Sequence, residues 1–279
     1  MNLVQHLGAL LDTRVRAVTD LGASHAWTLH RADLADDRSV FVKASAEPTT
    51  VFAAEANGLR WLTTDGLVPD VLAVDEHLIA LPWLDDVGAT AATAERLGRE
   101  LAALHANSPR TFGAPWPGWI AELPLDNTAS PGPWGSWYAE YRLAPYLPRA
   151  AAHLGPDGIR LLERVIDRID LLAGPPEPPA RIHGDLWSGN LIWTAERALL
   201  IDPAAHGGHR ETDLAMLALF GAPHLDRICA AYHEFHPLAA GWRARIPLHQ
   251  LHNLLIHVVL FGGCYRAQAL AAATAALAG

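Results

Sequence analysis

The sequence predicts an α+β protein of two lobes, a small N-terminal lobe built on antiparallel β-strands and a larger, mostly helical C-terminal lobe. Short runs of β-branched and aromatic residues occupy much of residues 1–83, whereas apolar residues at helical spacing dominate residues 84–279. A chain of 279 residues is also long enough for two modest domains that bury their own core. We therefore expect a hinge between the lobes at about residues 81–85.

The N-terminal lobe should contain a hairpin followed by a helix. The runs 26–30 and 39–43 have the composition of strands, and the residues 35–37 between them favour a turn. Small residues at 20–24 predict a loop at the mouth of this hairpin, and apolar residues in 51–62 recur at helical spacing. Two further strands are expected at 71–74 and 77–81, closing at Pro82 and Trp83.

The C-terminal lobe should be mainly helical. Leucines one turn apart predict a helix through 97–104 that stops near Pro109, and a second apolar face runs through 159–172 before Gly174. The Ala-rich last third of the chain also has a helical pattern. Short strands are expected around Ile182, at 191–193 and at 198–202.

Composition and charge exclude several classes of protein. Hydrophobic residues make up 51% of the chain and charged residues 18%, which excludes an intrinsically disordered protein. A net charge of -9 argues against nucleic acid as a partner. Two cysteines cannot form a disulfide framework and no export signal is visible, so we expect a cytoplasmic protein. The apolar run Leu254–Cys264 is too short to span a bilayer, so no membrane partner is expected.

Lys43 is the single lysine in the chain. The other 20 basic residues are arginines, as expected if arginine replaces lysine wherever charge alone matters. A lysine that survives this bias indicates a position where a compact ammonium works and a planar guanidinium does not. It ends a predicted strand, and Glu55 on the following predicted helix can supply a carboxylate.

The strongest local signal is the loop from His183 to Asn190, which reads His-Gly-Asp-Leu-Trp-Ser-Gly-Asn. It places Asp185 five residues before Asn190, and Asp202 follows at the end of a later strand. Phosphoryl transfer needs such a set, because one carboxylate accepts the proton of the attacking hydroxyl while an amide oxygen and a second carboxylate hold Mg²⁺. The spacing of His183, Asp185 and Asn190 matches that of the kinase catalytic loop.

Together these residues predict a protein-kinase-like fold that uses ATP and Mg²⁺, with residues 1–83 as the nucleotide-binding lobe. Lys43 and Glu55 would form the ion pair that presents an ammonium to the nucleotide phosphates. The glycine loop that covers phosphates in such folds is poorly represented, since Gly22 is the main glycine available there. Whether Gly22 covers the phosphates stays open.

Two alternative functions, each from a different class of protein, also have to be considered. A metal-dependent phosphate-ester hydrolase could use His183, His206 and His209 with the nearby carboxylates to activate a water. Against it, His206 and His209 flank two glycines instead of lying on a helix at ligand spacing, and Lys43 and Asn190 would have no role. A nucleotide-binding regulator without activity is disfavoured because the whole catalytic set is present.

The chain resembles the fructosamine kinase (ketosamine-3-kinase) family, within the protein-kinase-like and aminoglycoside-phosphotransferase-like group, essentially from end to end. Two runs are more specific for this family than the residues that kinases share. They are Leu-Trp-Ser-Gly, between Asp185 and Asn190, and Gly-His-Arg-Glu at 208–211. The loop around Gly22 departs from the more glycine-rich form of the family. The stretches that carry the resemblance are Val40–Lys43, Phe52–Ala56, His183–Asn190, Ile201–Ala204, Gly208–Met216 and Leu260–Gly263.

The resemblance implies transfer of the ATP γ-phosphate to the 3-hydroxyl of a sugar-derived ketoamine. The 3-phosphate then breaks down and frees the amine, so the reaction amounts to deglycation. The roles that the resemblance implies are Asp185 as the base, Asn190 and Asp202 as Mg²⁺ ligands, Lys43 aligned by Glu55 as the phosphate-binding group, backbone groups of Leu81 to Trp83 around the adenine, and Asp213 with His183 as support for the catalytic loop.

The sequence marks the residues that would contact the acceptor less specifically than those of the catalytic loop. Trp187 lies beside the expected base, and His209, Arg210 and Glu211 are expected to face the same cleft together with His206. Trp187 could equally pack in the interior, and Arg210 could simply pair with Glu211. The expected partner is a small ketoamine or a glycated lysine of a protein. An aminoglycoside, choline or an amino sugar remains an alternative acceptor, and the preferred sugar and the oligomeric state stay open.

Overall fold

The computed structural model describes residues 2–63 and 66–279 and confirms the predicted α+β class. The N-terminal elements are α1 (Leu3–Leu10), β1 (Val15–Ser24), β2 (Trp27–Leu34), β3 (Ser39–Ala44), α2 (Val51–Leu62), β4 (Ala73–Val74) and β5 (Leu78–Pro82). The C-terminal elements are α3 (Ala91–Ala106), β6 (Gly118–Ile120), β7 (Leu123–Leu125), α4 (Trp134–Tyr138), α5 (Leu147–Asp167), α6 (Ile169–Leu172), β8 (Ala180–Ile182), β9 (Leu191–Trp193), β10 (Ala198–Leu200), β11 (His206–Gly208), α7 (Glu211–Leu219), α8 (Leu225–Phe235), α9 (Trp242–Phe261) and α10 (Arg266–Ala278).

The N-terminal strands form a five-stranded antiparallel sheet in the order β1-β2-β3-β5-β4. β3 lies in the middle of the sheet, where Lys43 is opposite Leu29 of β2 and Ile79 of β5. Because side chains alternate along a strand, Val42 faces the opposite side, toward the apolar cluster that includes Leu7 of α1. Lys43 therefore points to the side of the sheet that faces α2 and the rest of the protein.

The structure corrects the prediction of a loop at residues 20–24. These residues are the end of β1, which pairs with β2 as far as Ser24 and Trp27, so the connection shrinks to a tight turn. The register shifts between Asp20 and Gly22, where one residue bulges out of the ladder. Gly22 tolerates this bulge because its φ of 101° lies in the region that favours glycine.

α2 has the bounds that its apolar spacing predicts and carries Glu55 into the interior. Phe52, Leu59 and Leu62 on the same helix are buried in a cluster that continues into the C-terminal part through residues such as Leu186. The sheet and the catalytic loop therefore pack on one shared core. This packing brings Lys43, Glu55 and residues 183–190 together even though they are far apart in the chain.

The C-terminal helices surround a second apolar cluster, to which α9 contributes Leu251, Leu254 and Val258. By length and composition alone, the helical stretch Trp242–Ala278 is long and apolar enough to cross a membrane. The run 254–264 within it is, by itself, too short to span a bilayer. Gly262 interrupts this stretch between α9 and α10, with a φ of 73°.

Buried histidines make the fold sensitive to acid. Burial, followed by the charge of Arg142, lowers the pKa of His252 to about 3, and burial also holds the pKa of His206 and His209 well below its ordinary value. In the unfolded chain these side chains take up protons below about pH 6.5, whereas in the fold they stay neutral. The free energy of unfolding should therefore fall as the pH drops below about 6.5.

We expect a loss of about 2 kcal/mol per buried histidine between pH 7 and pH 5, measured by urea denaturation at a series of pH values. His252→Asn should reduce this slope because it removes one such proton-binding site. The same dependence on pH in His252→Asn as in the wild type would contradict the assignment of His252 as neutral in the fold.

Candidate active site

A cavity of about 730 Å³ lies between the sheet and the C-terminal part of the structure. The residues that the sequence predicts to carry phosphoryl-transfer chemistry all line this cavity. These are Lys43, Glu55, Asp185, Asn190 and Asp202.

Lys43 joins the two halves of the site. Its side chain is buried, and its Nζ lies 2.8 Å from Glu55 Oε2 and 2.8 Å from Asp202 Oδ1. Burial lowers the pKa of this ammonium, but the charges of Asp202 and Glu55 outweigh burial and hold the pKa above its ordinary value. The ammonium therefore stays charged at any physiological pH.

Asp202 is turned into the cavity by an uncommon backbone conformation. It follows β10 and has a φ of 55°, a left-handed value that aspartate adopts more readily than most residues. Its side chain is 55% exposed. Partial desolvation in the cavity raises the pKa of Asp202, but the charge and the hydrogen bond of Lys43 together outweigh this effect and hold the pKa below its ordinary value, so the carboxylate is charged.

Asp185 lies in the connection between β8 and β9. The preceding Gly184 has a φ of 81°, and a Cβ there would lie 2.4 Å from the carbonyl oxygen of Ala204, so this turn requires glycine. Asn190 closes the loop by donating from Nδ2 to the Asp185 carbonyl oxygen at 2.8 Å. Burial and then the charge of Asp202 raise the pKa of Asp185 to about 7, which suits a group that has to take up a proton.

Asp213 supports this loop from α7. It is fully buried and accepts hydrogen bonds from the backbone N–H groups of His183 at 2.7 Å and Gly184 at 2.9 Å. The ring of His183 contacts the carbonyl oxygen of Ile201 at 2.9 Å, which ties the loop to the segment before Asp202. A side chain that the sequence analysis missed, His105 of α3, lies 3.1 Å from Asp213 Oδ2.

Asn190 and Asp202 offer ligands that suit Mg²⁺. The amide nitrogen of Asn190 is used in the bond to Asp185, which leaves its amide oxygen for other partners. Asp202 uses one carboxylate oxygen for Lys43 and is half-exposed to the cavity. An amide oxygen and a carboxylate oxygen on one wall fit a hard divalent cation, which prefers oxygen ligands and retains several waters.

The structure revises the expectation for the nucleotide base. Leu81 and Trp83 both line the cavity. The backbone N–H of Trp83, however, donates to the carbonyl oxygen of Ser39 at 3.0 Å, so it is not free for adenine. Gly22 does not line the cavity and is exposed, whereas Ser24 and His25 of the same hairpin do line it.

Aromatic side chains of the C-terminal part also line the cavity. Trp187 lies there, 37% exposed, with its ring centroid 5.8 Å from that of Phe220. His257 lies 5.4 Å from Phe220 and 4.7 Å from Tyr265, measured between ring centroids, and Phe261 of the same wall is 52% exposed. Trp187 is thus the one predicted substrate contact that the structure places in the cavity.

The expectation that His209, Arg210 and Glu211 face the cavity is wrong. All three are buried away from it, in a separate network of ion pairs. Arg210 pairs with Glu177 through contacts of 2.6 and 2.8 Å instead of pairing with Glu211. Glu211 pairs with Arg245 through contacts of 2.9 and 2.6 Å. The glycine-rich sequence around them did not indicate which side of the loop they would occupy.

The geometry also weakens the metal-hydrolase reading. His206 is buried, with its Nδ1 2.8 Å from the carbonyl oxygen of Ala204, and His183 and His209 do not line the cavity. Among the described residues, the His, Cys and acidic side chains grouped closely enough to hold a metal are His209, Glu211 and His249. Glu211 in that group already forms an ion pair with Arg245, and the positive charge of Arg245 would repel a bound cation.

Comparisons with known proteins identify the family of this chain. The family model for fructosamine kinase matches residues 5–278. A probable ketoamine kinase of Thermus thermophilus is 34% identical over 249 residues, which cover 86% of this chain and 89% of that protein. One of Synechocystis sp. is 34% identical over 248 residues, covering 84% of this chain and 81% of that protein.

Solved structures extend the comparison to the fold. The crystal structure of a candidate fructosamine-3-kinase of Thermobifida fusca is 51% identical, with a TM-score of 0.97 over 100% of this chain and 99% of that one. The aminoglycoside phosphotransferase APH(4)-Ia, in a complex with ADP and hygromycin B, has a TM-score of 0.68 at 15% identity over 99% of both chains, and therefore shares the fold. The chain, with its kinase-like site between a β-rich and a helical part, belongs to the fructosamine kinase family.

Proposed function

We propose that this chain transfers the γ-phosphate of ATP to the 3-hydroxyl of a ketoamine and thereby leads to removal of the sugar from the amine. The proposal rests on one observation, the convergence of Lys43, Asp185, Asn190 and Asp202 on a single cavity. Residues 1–83 would act as the nucleotide-binding lobe and residues 84–279 would hold the catalytic loop and the acceptor.

The chain's own groups have separate tasks in this reaction. Asp185 takes the proton of the acceptor hydroxyl, whose oxygen uses its electron pair to form the new bond to the γ-phosphorus. The bond from that phosphorus to the bridging oxygen breaks, and its electron pair leaves on ADP. Lys43, held by Glu55, binds phosphate oxygens. Mg²⁺, bound by Asn190 and Asp202, would neutralise phosphate charge.

The aromatic lining of the cavity supports a sugar-amine acceptor. The ketoamine nitrogen is a protonatable amine beside a sugar, and a cation is attracted to the faces of aromatic rings such as those of Trp187 and Tyr265. Among the described residues that line the cavity, the carboxylates are Glu55, Asp185 and Asp202. Glu55 and Asp202 already pair with Lys43, so this lining offers few carboxylates to the several positive charges of an aminoglycoside.

The test is Mg²⁺-dependent release of ADP from ATP with fructosyl-lysine, ribulosyl-lysine, an aminoglycoside and choline as separate acceptors. We expect release with a ketoamine, and phosphorus NMR should show a phosphomonoester that decays while lysine appears. Reactions without acceptor and reactions with EDTA are the controls. Release with choline or the aminoglycoside alone would keep the phosphotransferase and overturn the ketoamine acceptor.

A further inference from the structure

Asn253 of α9 is fully buried and contacts the proposed base. Its Nδ2 donates a hydrogen bond of 2.9 Å to Asp185 Oδ1. The two residues are 68 positions apart in the chain, and no motif in the sequence marks Asn253. Only the packing of α9 beside the catalytic loop brings them together.

The two carboxylate oxygens of Asp185 have different surroundings. Oδ1 is held by Asn253 at 2.9 Å. The contact to Oδ2 comes from Asn190 Nδ2 and is 3.4 Å long, while the same nitrogen makes a shorter bond of 2.8 Å to the Asp185 backbone carbonyl. Oδ1 is therefore anchored, and Oδ2 keeps lone pairs with which it can accept a proton from a group in the cavity.

Asn253 is also poorly explained by packing. Its amide oxygen is buried and has no hydrogen-bond partner within residues 2–63 and 66–279. Its neighbours Leu254, Leu255 and Ile256 are buried and apolar. A buried polar atom without a partner destabilises a fold, so stability does not account for this amide oxygen. An asparagine at this position therefore suggests that its contact with Asp185 serves activity.

We propose that Asn253 is a positioning residue for proton transfer, whose amide fixes Oδ1 of Asp185 so that Oδ2 takes the proton of the acceptor hydroxyl. This inference rests on the proposed function, in which Asp185 is the base. The hydrogen bond opposes rotation of the carboxylate about its Cβ–Cγ bond. Such rotation would misplace Oδ2 at the moment when the hydroxyl oxygen attacks the γ-phosphorus, and reaction rates are sensitive to misplacements of about 1 Å.

The test is Asn253→Leu, which removes the donor and keeps the number of side-chain heavy atoms. We expect kcat with fructosyl-lysine to fall about 10- to 100-fold, with little change in the KM for ATP, in protein that is still folded at the assay temperature. Asn253→Asp should reduce kcat further, because a second carboxylate would repel Asp185. Gln250→Leu is the matched control and should keep the wild-type kcat, since Gln250 lies one turn earlier on α9 and donates to the carbonyl oxygen of Ala215 instead.

Three outcomes would overturn the inference. If Asp185→Asn is inactive but Asn253→Leu keeps the wild-type kcat, Asp185 is still the base and Asn253 has no positioning role. A fall of kcat in Asn253→Leu that matches the loss of folded protein at the assay temperature would reduce the residue to a packing role. A crystal structure of Asn253→Leu without acceptor would also overturn the inference if the Asp185 carboxylate is ordered and keeps its wild-type orientation. Wild-type turnover in Asp185→Asn would instead refute the proposed base.

Discussion

Asp185→Asn is expected to lower kcat by about 10²- to 10⁴-fold, the range that a positioned general base contributes. Asparagine has the same shape as aspartate but does not take up the proton of the acceptor hydroxyl. The KM or Kd for ATP should change little, because Lys43, Glu55 and Asp202 keep their contacts with one another. Steady-state kinetics with fructosyl-lysine and calorimetric titration with ATP measure the two effects separately.

The stability of this variant provides a second readout. The partly buried carboxylate of Asp185 has a pKa raised to about 7 by desolvation and by the charge of Asp202, so the charged form is disfavoured in the fold. Replacing it by a neutral amide should leave the Tm unchanged or raise it. Asp157→Asn, at a side chain that is 92% exposed, is the control and should behave like the wild type. Near-normal turnover in Asp185→Asn would refute its role as the base.

Lys43→Arg is expected to lower kcat/KM for ATP by about 100-fold or more, although it keeps the positive charge. The ammonium fits between Glu55 and Asp202 with contacts of 2.8 Å to each and is 4% exposed. A planar guanidinium is larger and has a fixed fork of donors, so it would displace one of these carboxylates. Displacement of Asp202 would also disturb the proposed Mg²⁺ site.

The control for this variant is the reverse exchange at an exposed position. Arg164→Lys on α5 replaces one cation by another outside the cavity and should leave kcat/KM unchanged. Lys43→Met, which removes the charge as well, should be at least as inactive as Lys43→Arg. Wild-type kinetics in Lys43→Arg would show that a compact ammonium is not needed, and the inference from the single lysine would then be wrong.

Local patterns predicted the elements that carry the proposed nucleotide chemistry. The apolar spacing of residues 51–62 predicted α2 with the bounds that the structure has. The spacing from Asp185 to Asn190 predicted a loop between two strands. Lys43 was expected on a strand of the N-terminal lobe, the lobe that also contains α2. These predictions succeed because the information lies within one helix, one loop or one strand, where spacing determines which side chains share a face.

Partners that lie far apart in the chain could not be predicted. Arg210 and Glu211 do not pair with each other, the alternative that the sequence left open, but with Glu177 and Arg245, at separations of 33 and 34 residues. Adjacent residues can point in opposite directions from a helix start, so their closeness in sequence did not make them partners. The structure alone shows that this network is buried and separate from the cavity.

The sequence by itself determined the class of fold, and it marked the loop 183–190 and Lys43 as candidates for phosphoryl transfer, because each depends on residue types at particular positions in short segments. Only the tertiary structure decided how Asp185 is held. Its anchor, Asn253, lies on α9, and Asp213, which supports the loop from α7, contacts His105 of α3. The physical reason is that a hydrogen bond between distant elements depends on how those elements pack, and such packing leaves no short motif in the chain.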